Sequence, residues 1–518
     1  MDKSVEEKDV ISSENLKKYV NQLEKRIYKN QQDRITHPND PERWVKSEVD
    51  LEEHISLFRD LSTMPELYDE FLNLGGLKFL SELLSHPNID IFISSINVLA
   101  ELLDPEIIYT LKNHEAIIAE IEALKIQNLC INSLFKIDED HDEIDYQGVK
   151  SSFELLENLI ELTPNILEEM SINSEFLLFL VKRMNNRKTM EYDANRIHAS
   201  EILSILLHGS EDSLEIFGKK DVIDGIDKLL RIIAIYRKRD PDSIEEEELV
   251  ENAFQCLCRL MLISSNQIRF GKIQGVELAI RLVRQRRQTY RLALKLLDYS
   301  LLDSPENCTT FVQLTGLKCI FSVLMRKGVT TKIGSDQERE DDEHVISVIQ
   351  SLCSNCTGIE LARVMNKFVE HKHEKLERLI EMHEKYVDIS KTMLKSVGNS
   401  KDHAGSLYNA LNMNEGEQNY LNKYEAGLST CQLIDCVLIR IYNMGNKNLS
   451  LCLLLLLHNK GVKIQDIYNN VSGLSYALVS KYSDYLDHLS EEAKDTKDHV
   501  EGLLKNFLVG ASDTGMFS

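Results

Sequence analysis

The chain has 518 residues, of which 43% are hydrophobic, and its 8 prolines and 22 glycines are too few for long disordered linkers. Leu, Glu, Lys and Asn dominate, whereas alternating runs of Val, Ile and Thr are scarce, so we predict an all-α fold. The formal net charge of −24 argues against nonspecific binding to nucleic acid and suits basic peptide segments, although such acidity can also serve solubility alone.

Features of export and of membrane insertion are missing from the sequence. The N-terminal MDKSVEEKDV has no hydrophobic signal core, and the apolar run Leu449–Leu457 is bounded by polar residues too closely for a membrane span. The ten cysteines are scattered without even spacing, which fits buried thiols in a reducing compartment. We therefore expect an intracellular protein that does not bind membranes.

Residues 1–50 are charged and contain the single Trp. Helical spacing of apolar residues predicts a helix over Asn15–Asn30, and a second helix follows around Trp44. One face of the first helix is apolar: Leu16, Val20, Leu23 and Ile27. We predict that residues 1–50 form an N-terminal helical cap over the end of a repeat array.

The stretch Leu72–Asp104 carries the clearest repeated unit. A corner at Gly75-Gly76 leads into a short helix with one apolar face, Pro87 breaks that helix, and a longer amphipathic helix follows. A unit of about 40 residues built in this way cannot bury its own apolar faces and needs neighbours stacked on it, as in a solenoid. The pattern resembles an armadillo repeat.

The glycine corner recurs at Gly225, Gly275 and Gly316, which are 50 and 41 residues apart. We therefore predict armadillo-like repeats over residues 51–357. Acidic stretches at 138–145 and 326–343 are predicted to be loops. Calcium binding at 138–145 is the weaker alternative, since the stretch lacks the fixed glycine and the terminal glutamate of an EF-hand loop.

Beyond residue 357 the pattern changes to longer helices. We predict a C-terminal helical cap over residues 358–488 and a partly disordered tail over 489–518. The predicted fold class is thus an all-α, armadillo-type, right-handed superhelical solenoid with helical N- and C-terminal caps.

Catalytic motifs are not apparent: the sequence lacks a P-loop, a G-x-S-x-G elbow and an HExxH helix. Cys353 and Cys356, with His371 and His373, could be drawn as a zinc site, but two cysteines three residues apart on a helix are more typical of buried structural thiols. We predict a protein that is not an enzyme and has no cofactor or metal.

One dense basic cluster lies within residues 281–291. It could bind phosphate or an acidic partner, yet Tyr290 is its only interleaved aromatic residue, and a solvated helix end is the favoured interpretation. The cluster consists of Arg281, Arg284, Arg286, Arg287 and Arg291.

Several segments in a fixed order resemble the beta-catenin-like protein 1 family over roughly residues 20–480. They are Leu23–Gln31 (LEKRIYKNQ), Asp60–Tyr68 (DLSTMPELY), Asp193–Arg196 (DANR), Leu260–Asn266 (LMLISSN), Ala293–Asp298 (ALKLLD) and Tyr420–Leu428 (YLNKYEAGL). Each segment alone is a weak signal, but their order along the chain makes the match specific.

The resemblance implies a non-catalytic, spliceosome-associated protein of the nucleus, although no import signal of its own is evident in the sequence. It implies binding to the basic segments of splicing factors, including the Myb-like component of the NineTeen complex, and self-association as a homodimer. Direct nucleic-acid binding is not expected. The alternative is a nuclear transport or chaperone-like receptor for basic cargo, although the Arg-rich N-terminal arm that binds importin-beta is not obvious here.

The third helix of each armadillo unit would line the binding groove. Importin-type repeats place Trp and Asn there four residues apart, and the matching pairs here are Asn97 and Glu101, Glu154 and Asn158, and Glu201 and Ile205. The tryptophan ladder is absent. We predict that the carboxylates of Glu101, Glu154 and Glu201 together hold Lys or Arg side chains of a partner; as separate residues, they could equally be solvated helix positions.

Overall fold

The computed structural model describes residues 12–139, 141–185, 193–328, 331–397, 423–444 and 446–471. Within these ranges all regular structure is helical, which confirms the predicted all-α class. The predicted tail over 489–518 and the last part of the predicted C-terminal cap lie outside the described residues. In the described part of the chain, no helix combines the length and the apolar character that crossing a membrane requires.

The described part of the chain opens with a helix pair. Helix α1 (Leu16–Thr36) begins one residue after the predicted start at Asn15 and extends beyond the predicted end, and α2 (Val45–Ser56) follows. A buried hydrogen bond of 3.0 Å from Asn30 Nδ2 to Ser47 Oγ joins the two helices. The predicted boundary after residue 50 falls inside α2.

Triplets of helices follow, each with one or two short helices, a middle helix and a third helix. The first half contains α3 (Tyr68–Asn73), α4 (Gly76–Leu83), α5 (Ile89–Leu102); α6 (Pro105–Ile108), α7 (His114–Leu124), α8 (Ile126–Leu134), α9 (Glu143–Leu162); α10 (Ile166–Ser171), α11 (Ser174–Met184), α12 (Ala194–Gly209); and α13 (Glu211–Gly218), α14 (Gly225–Ile233), α15 (Ile244–Leu260).

The same order continues in the second half up to Asn355, after which a 40-residue helix breaks it. The second half contains α16 (Ser264–Lys272), α17 (Gly275–Gln285), α18 (Tyr290–Leu301); α19 (Pro305–Gln313), α20 (Gly316–Leu324), α21 (Asp336–Asn355); α22 (Gly358–Val397), α23 (Ser429–Asn443), α24 (Lys447–Asn459); and helical residues 464–471. Helix α22 is interrupted at residues 370–373, where the backbone leaves helical geometry.

The chain divides into two compact units, the first formed by Met1–Ile233 with Pro241–Leu260 and the second by Ala234–Asp240 with Met261–Ser518. In the first unit α2, α5, α9, α12 and α15 pack each against the next, and in the second α18, α21 and α23 do the same. We call these the ladder helices. Since α23 packs on α21, the ladder continues into the segment that the sequence predicted to be a cap.

The predicted corner glycines begin the middle helices, and close packing explains why glycine is needed there. A Cβ at these glycines would lie 2.1–2.6 Å from a phenylalanine ring carbon of the preceding helix, far inside van der Waals contact. The pairs are Gly76 with Phe71, Gly225 with Phe217, Gly275 with Phe270, and Gly316 with Phe311. The left-handed backbone belongs to the residue before each one: Gly75, Asp224, Gln274 and Thr315.

Replacing Gly225 by alanine is expected to lower the free energy of unfolding by about 1–3 kcal/mol, because the buried Phe217 ring must move to admit the methyl group. Urea denaturation of the full-length chain would measure the change. Gly209→Ala is the matched control, since its Cβ would meet only Leu167 Cβ at 3.9 Å. Equal losses in the two variants would show that the close contact does not decide the effect.

The prediction of a loop over residues 326–343 is wrong for its acidic half, which forms the first two turns of α21. Ser335 caps this helix by accepting a hydrogen bond from the Glu338 N–H, and acidic side chains favour a helix N-terminus because of the helix dipole. Glu338, Asp341 and Asp342 are buried there. Their cationic partners come from elsewhere in the second unit: Arg291, Arg326 and Lys385.

The acidic stretch 138–145 also has a structural use. Asp142 Oδ1 accepts a hydrogen bond of 2.9 Å from the Asp145 N–H and so caps α9. Glu139, only 16% exposed, pairs at 2.5 Å with the buried Arg183. Residue 140 lies outside the described residues.

Candidate peptide-binding surface

The structure places the five predicted binding residues on three consecutive ladder helices of the first unit. Asn97 and Glu101 lie on α5, Glu154 and Asn158 on α9, and Glu201 on α12. All five side chains are half-buried. Because α5 packs against α9 and α9 against α12, these residues belong to one continuous helical surface, which we call the ladder surface.

Two of the three predicted carboxylates already have cationic partners within the chain. Glu101 Oε1 lies 2.7 Å from Arg59 Nε, and Glu154 Oε1 lies 2.9 Å from Lys150 Nζ. All four side chains are more than a third exposed or close to it, so each pair contributes at most about 1 kcal/mol. A partner's arginine or lysine could displace either cation at little cost.

Asn158 has a structural role between ladder helices. Its Nδ2 donates a hydrogen bond of 3.0 Å to the Ala100 carbonyl near the end of α5, where helix carbonyls lack helical partners. The same contact recurs in the second unit, where Asn355 Nδ2 of α21 approaches the Leu301 carbonyl of α18 at 3.4 Å. One amide N–H of Asn158 is therefore already used.

Glu201 belongs to an interhelical cluster that the sequence did not predict. His198 Nδ1 donates to Glu157 Oε1 at 2.9 Å and lies 3.7 Å from Glu201 Oε2, while Glu201 also hydrogen-bonds with Glu248 of α15. We call Glu157, His198, Glu201 and Glu248 the Glu-His cluster. Glu157 and His198 each lie one helical turn from a predicted position, Glu154 and Glu201 respectively, and could have been found in this way.

The Glu-His cluster holds protons near neutral pH. Burial, the charge of Glu157 and the hydrogen bond with Glu248 raise the pKa of Glu201 to about 7. Burial alone would lower the pKa of His198, but its hydrogen bond with Glu157 and the nearby carboxylates raise it instead. An arriving cationic side chain would displace these protons and meet ionised carboxylates.

The second unit repeats one element of this arrangement. His344 Nδ1 on α21 lies 2.9 Å from Asp298 Oδ2 on α18, so a histidine again bonds to an acid of the preceding ladder helix. In unit two this acid also accepts a hydrogen bond from Ser347. Both oxygens of the Asp298 carboxylate therefore have hydrogen-bond partners within the chain, which leaves Asp298 less available to another protein than Glu201.

The basic cluster of residues 281–291 makes several contacts within its own unit. Arg287 Nη1 lies 3.1 Å from Asp240 Oδ2, and Arg291 Nε lies 3.2 Å from the buried Asp341 Oδ1. Arg281 pairs with Glu277 one turn earlier on α17. These contacts fit the favoured interpretation of a helix end and leave less charge for a phosphate ligand.

The residues considered as a zinc site in the sequence make other contacts in the structure. Cys353 and Cys356 are buried, and Cys356 forms a hydrogen bond with Cys308. His373 Nδ1 bonds to the Phe368 carbonyl at 3.0 Å, across the interruption in α22. His371 is exposed there.

Triplets of helices with a glycine corner and successive packing of their third helices define an armadillo-type helical-repeat protein, a class that acts through protein–protein interaction. The family model described as "Catenin-beta-like, Arm-motif containing nuclear" matches residues 1–472. The chain belongs to this family, which confirms the resemblance found in the sequence.

Curated relatives agree with this assignment. Beta-catenin-like protein 1 of Homo sapiens is 31% identical over 504 residues, covering 96% of this chain and 86% of the relative. The Rattus norvegicus protein of the same name has the same identity and coverage. The Schizosaccharomyces pombe homolog is 32% identical over 385 residues, covering 73% of this chain and 65% of the relative.

Proposed function

We propose that this protein is a non-catalytic interaction scaffold of the nucleus that associates with the spliceosome and binds basic segments of splicing factors on the ladder surface. The observation that carries the proposal is the set of carboxylates that α5, α9, α12 and α15 present on adjacent helices of the first unit. Family membership and the net charge of −24 support it.

The chemistry of recognition follows from these carboxylates. Lysine and arginine form charge-assisted hydrogen bonds with carboxylates, and these are about twice as strong as neutral hydrogen bonds. Glu157 and Glu201 flank the His198 imidazole, and Glu248 of α15 hydrogen-bonds with Glu201, so one basic side chain can meet several acceptors there. Glu101 and Glu154 would offer further positions along the same surface for neighbouring basic residues.

The proposed partners are the basic localisation-type segments of splicing factors, of which the Myb-like component of the NineTeen complex is the first candidate. A tryptophan ladder is not part of the ladder surface, since the single Trp of the sequence, Trp44, precedes α2. The grip would therefore depend on charge more than on stacking, and affinity should fall as salt rises.

The experiment that tests the proposed function is co-purification with the tagged full-length chain from nuclear extract, at low and at raised salt. Splicing factors that are retained at low salt and lost at raised salt are the expected result, because salt screens exposed ion pairs. Import carriers or nuclear-pore proteins without splicing factors would instead identify a transport receptor and contradict the spliceosome proposal.

Binding of a basic peptide should strengthen by about fivefold between about pH 6 and pH 8, because Glu201 ionises in this range and an exposed ion pair is worth up to about 1 kcal/mol. Fluorescence anisotropy with a labelled Lys/Arg-rich peptide that lacks histidine would measure this. Glu201→Gln should reduce the pH dependence to the part that His198 contributes, whereas Glu154→Gln should keep the wild-type profile. A flat wild-type profile would rule out Glu201 as the titrating contact.

A further inference from the structure

A cluster of buried metal-ligating side chains lies in the second unit, and the proposed function does not use it. His383 lies on the part of α22 that follows the interruption, and Cys431 and Asp435 lie on α23. The exposed fractions of these three residues are 3%, 1% and 0%. Burial of a thiol, an imidazole and a carboxyl group in mutual contact is costly unless each finds a partner.

The three ligand atoms converge on one point. Cys431 Sγ lies 3.6 Å from His383 Nδ1 and 3.9 Å from Asp435 Oδ2, and His383 Nδ1 lies 2.7 Å from Asp435 Oδ1. With Zn–S near 2.3 Å and Zn–N near 2.0–2.1 Å, two ligands of a tetrahedral zinc lie about 3.3–3.6 Å apart. The thiol therefore already sits at nearly the required separation, and the carboxylate needs to retreat from the imidazole by about half an ångström.

The helical positions suit metal binding. Cys431 and Asp435 are four residues apart on α23, so their side chains project from one face of the helix, the spacing by which a single helix presents two ligands to zinc. The third ligand comes from the facing helix α22, which packs against α23.

We propose that His383, Cys431 and Asp435 bind one divalent transition-metal ion of the zinc type. A thiolate with an imidazole and a carboxylate is a typical zinc ligand set, whereas calcium and magnesium require oxygen ligands. The ion takes the place of the Cys431 thiol proton and of the proton between His383 and Asp435. One thiolate and one carboxylate then balance the two charges of the ion.

Asn470, in helical residues 464–471, completes the cluster. Its Nδ2 donates to Asp435 Oδ2 at 2.9 Å and lies 3.7 Å from Cys431 Sγ. In this orientation the Asn470 amide orients the ligating carboxylate through a hydrogen bond. If the amide is rotated by 180°, its Oδ1 would face the ion as a fourth ligand. The site would in either case tie the segment after α24 to α22 and α23.

The surrounding charges favour a cation. The carboxylates of Glu384 and Asp466 act on His383 in addition to that of Asp435, and Lys391 is the cation that acts on Cys431. A hydrogen bond between His383 and Asp435 accounts for those two residues without a metal. The thiol is held less closely: its hydrogen bond to Asp435 Oδ2 is 3.9 Å long and its sulfur also lies 3.6 Å from His383 Nδ1, in a site without exposure to solvent.

Metal binding by the reduced, full-length chain tests this proposal. After treatment with a chelator and desalting, the chain is exposed to Zn²⁺ and washed, and bound metal is measured by mass spectrometry. We expect one retained zinc per chain and a raised thermal midpoint. Co²⁺ in place of Zn²⁺ should give the near-ultraviolet thiolate-to-cobalt band together with the visible bands of a tetrahedral ion.

The variants Cys431→Ser and Asp435→Asn should lose the retained zinc and the cobalt band. Cys436→Ser is the matched control, because this thiol lies on the same helix outside the cluster and should keep both signals. A folded, reduced wild-type chain that retains no zinc and gives no thiolate-to-cobalt band would overturn the proposal. So would unchanged binding in a Cys431→Ser chain whose circular dichroism shows that it is folded, because a misfolded chain would expose other thiols to zinc.

Discussion

Reversing charge at Glu101, Glu154 and Glu201 together is expected to abolish binding of a Lys/Arg-rich peptide, with a loss of about 100-fold or more in affinity. This magnitude follows from up to about 1 kcal/mol for each of the three exposed ion pairs, together with the repulsion that three new lysines would add. Fluorescence anisotropy at fixed salt would measure the loss, and circular dichroism would show that the helices remain.

The three carboxylates are not expected to contribute equally to this loss of affinity, because their contacts within the chain differ. Arg59 and Lys150 already neutralise Glu101 and Glu154 in part, whereas Glu201 shares its site with two more carboxylates. Among the single reversals, Glu201→Lys should therefore cost the most affinity. A cationic side chain that pairs with Glu201 would also lie near the other carboxylates of the Glu-His cluster.

A triple variant outside the ladder is the control for net charge. Glu82, Glu122 and Glu215 are exposed glutamates on α4, α7 and α13, which are not ladder helices. Their replacement by lysine changes the charge of the chain by the same amount and should weaken binding only slightly, through long-range attraction. Unchanged affinity in the folded ladder variant, or equal losses in both triple variants, would contradict the assignment of the ladder carboxylates.

Glu338→Ala is expected to lower the free energy of unfolding by about 2–3 kcal/mol, which is below the range for a fully buried pair because both cations are partly exposed. Glu338 is 3% exposed and pairs with Arg326 and Lys385, and its Oε2 also accepts the Gly334 N–H at 2.6 Å. Removing it takes the carboxylate from Arg326 Nη1 and from the Gly334 N–H, while Lys385 keeps its pair with Asp342. Urea denaturation, followed by helix content, would measure the change.

The control is Asp336→Ala on the same helical turn, where the side chain is 92% exposed and the pair with Arg339 is 3.5 Å long. It should change the free energy of unfolding by less than about 0.5 kcal/mol. If the two variants lost equal stability, the effect would come from the helix terminus and not from the buried ion network.

The contribution of Glu338 to the free energy of unfolding should decrease at low pH. Burial would raise the pKa of Glu338, but the Gly334 N–H and the charges of Lys385 and Arg326 together lower it. The stability that Glu338 contributes is therefore present above the pKa of an unfolded glutamate and is lost as pH falls through the lowered pKa of the folded state. The gap between wild type and Glu338→Gln should close as pH falls below about 4.

The sequence predicted the glycine corners well because two local signals coincide there, a glycine and apolar residues at helical spacing. It did not predict why glycine is required, since the phenylalanine that excludes a Cβ belongs to the preceding helix. A usable signal was present: Phe71, Phe270 and Phe311 each lie five residues before their glycine. The fourth pair has a longer spacing and would have been missed.

The burial of the acidic run at 336–343 could not be predicted from its local sequence. Its composition suggests solvation, yet its burial depends on cations at Arg291, Arg326 and Lys385, of which two are more than 40 residues away in the sequence. Long-range pairing of this kind has no periodicity that a single sequence could reveal. The Glu-His cluster left a partial signal, since Glu157 and His198 each lie three residues from a predicted position, but its contact with Glu248 on the next helix is long-range and left none.

Hydrogen–deuterium exchange of the full-length chain, with and without a saturating Lys/Arg-rich peptide, tests most directly whether the ladder surface binds basic segments. We expect the peptide to slow exchange in the ladder helices α5, α9, α12 and α15 of the first unit. In the triple variant of Glu101, Glu154 and Glu201, the peptide should leave the exchange rates of these helices unchanged. Bound peptide that leaves these helices of the wild-type chain unchanged, or slows exchange only in helices outside the ladder, would contradict binding on the ladder surface.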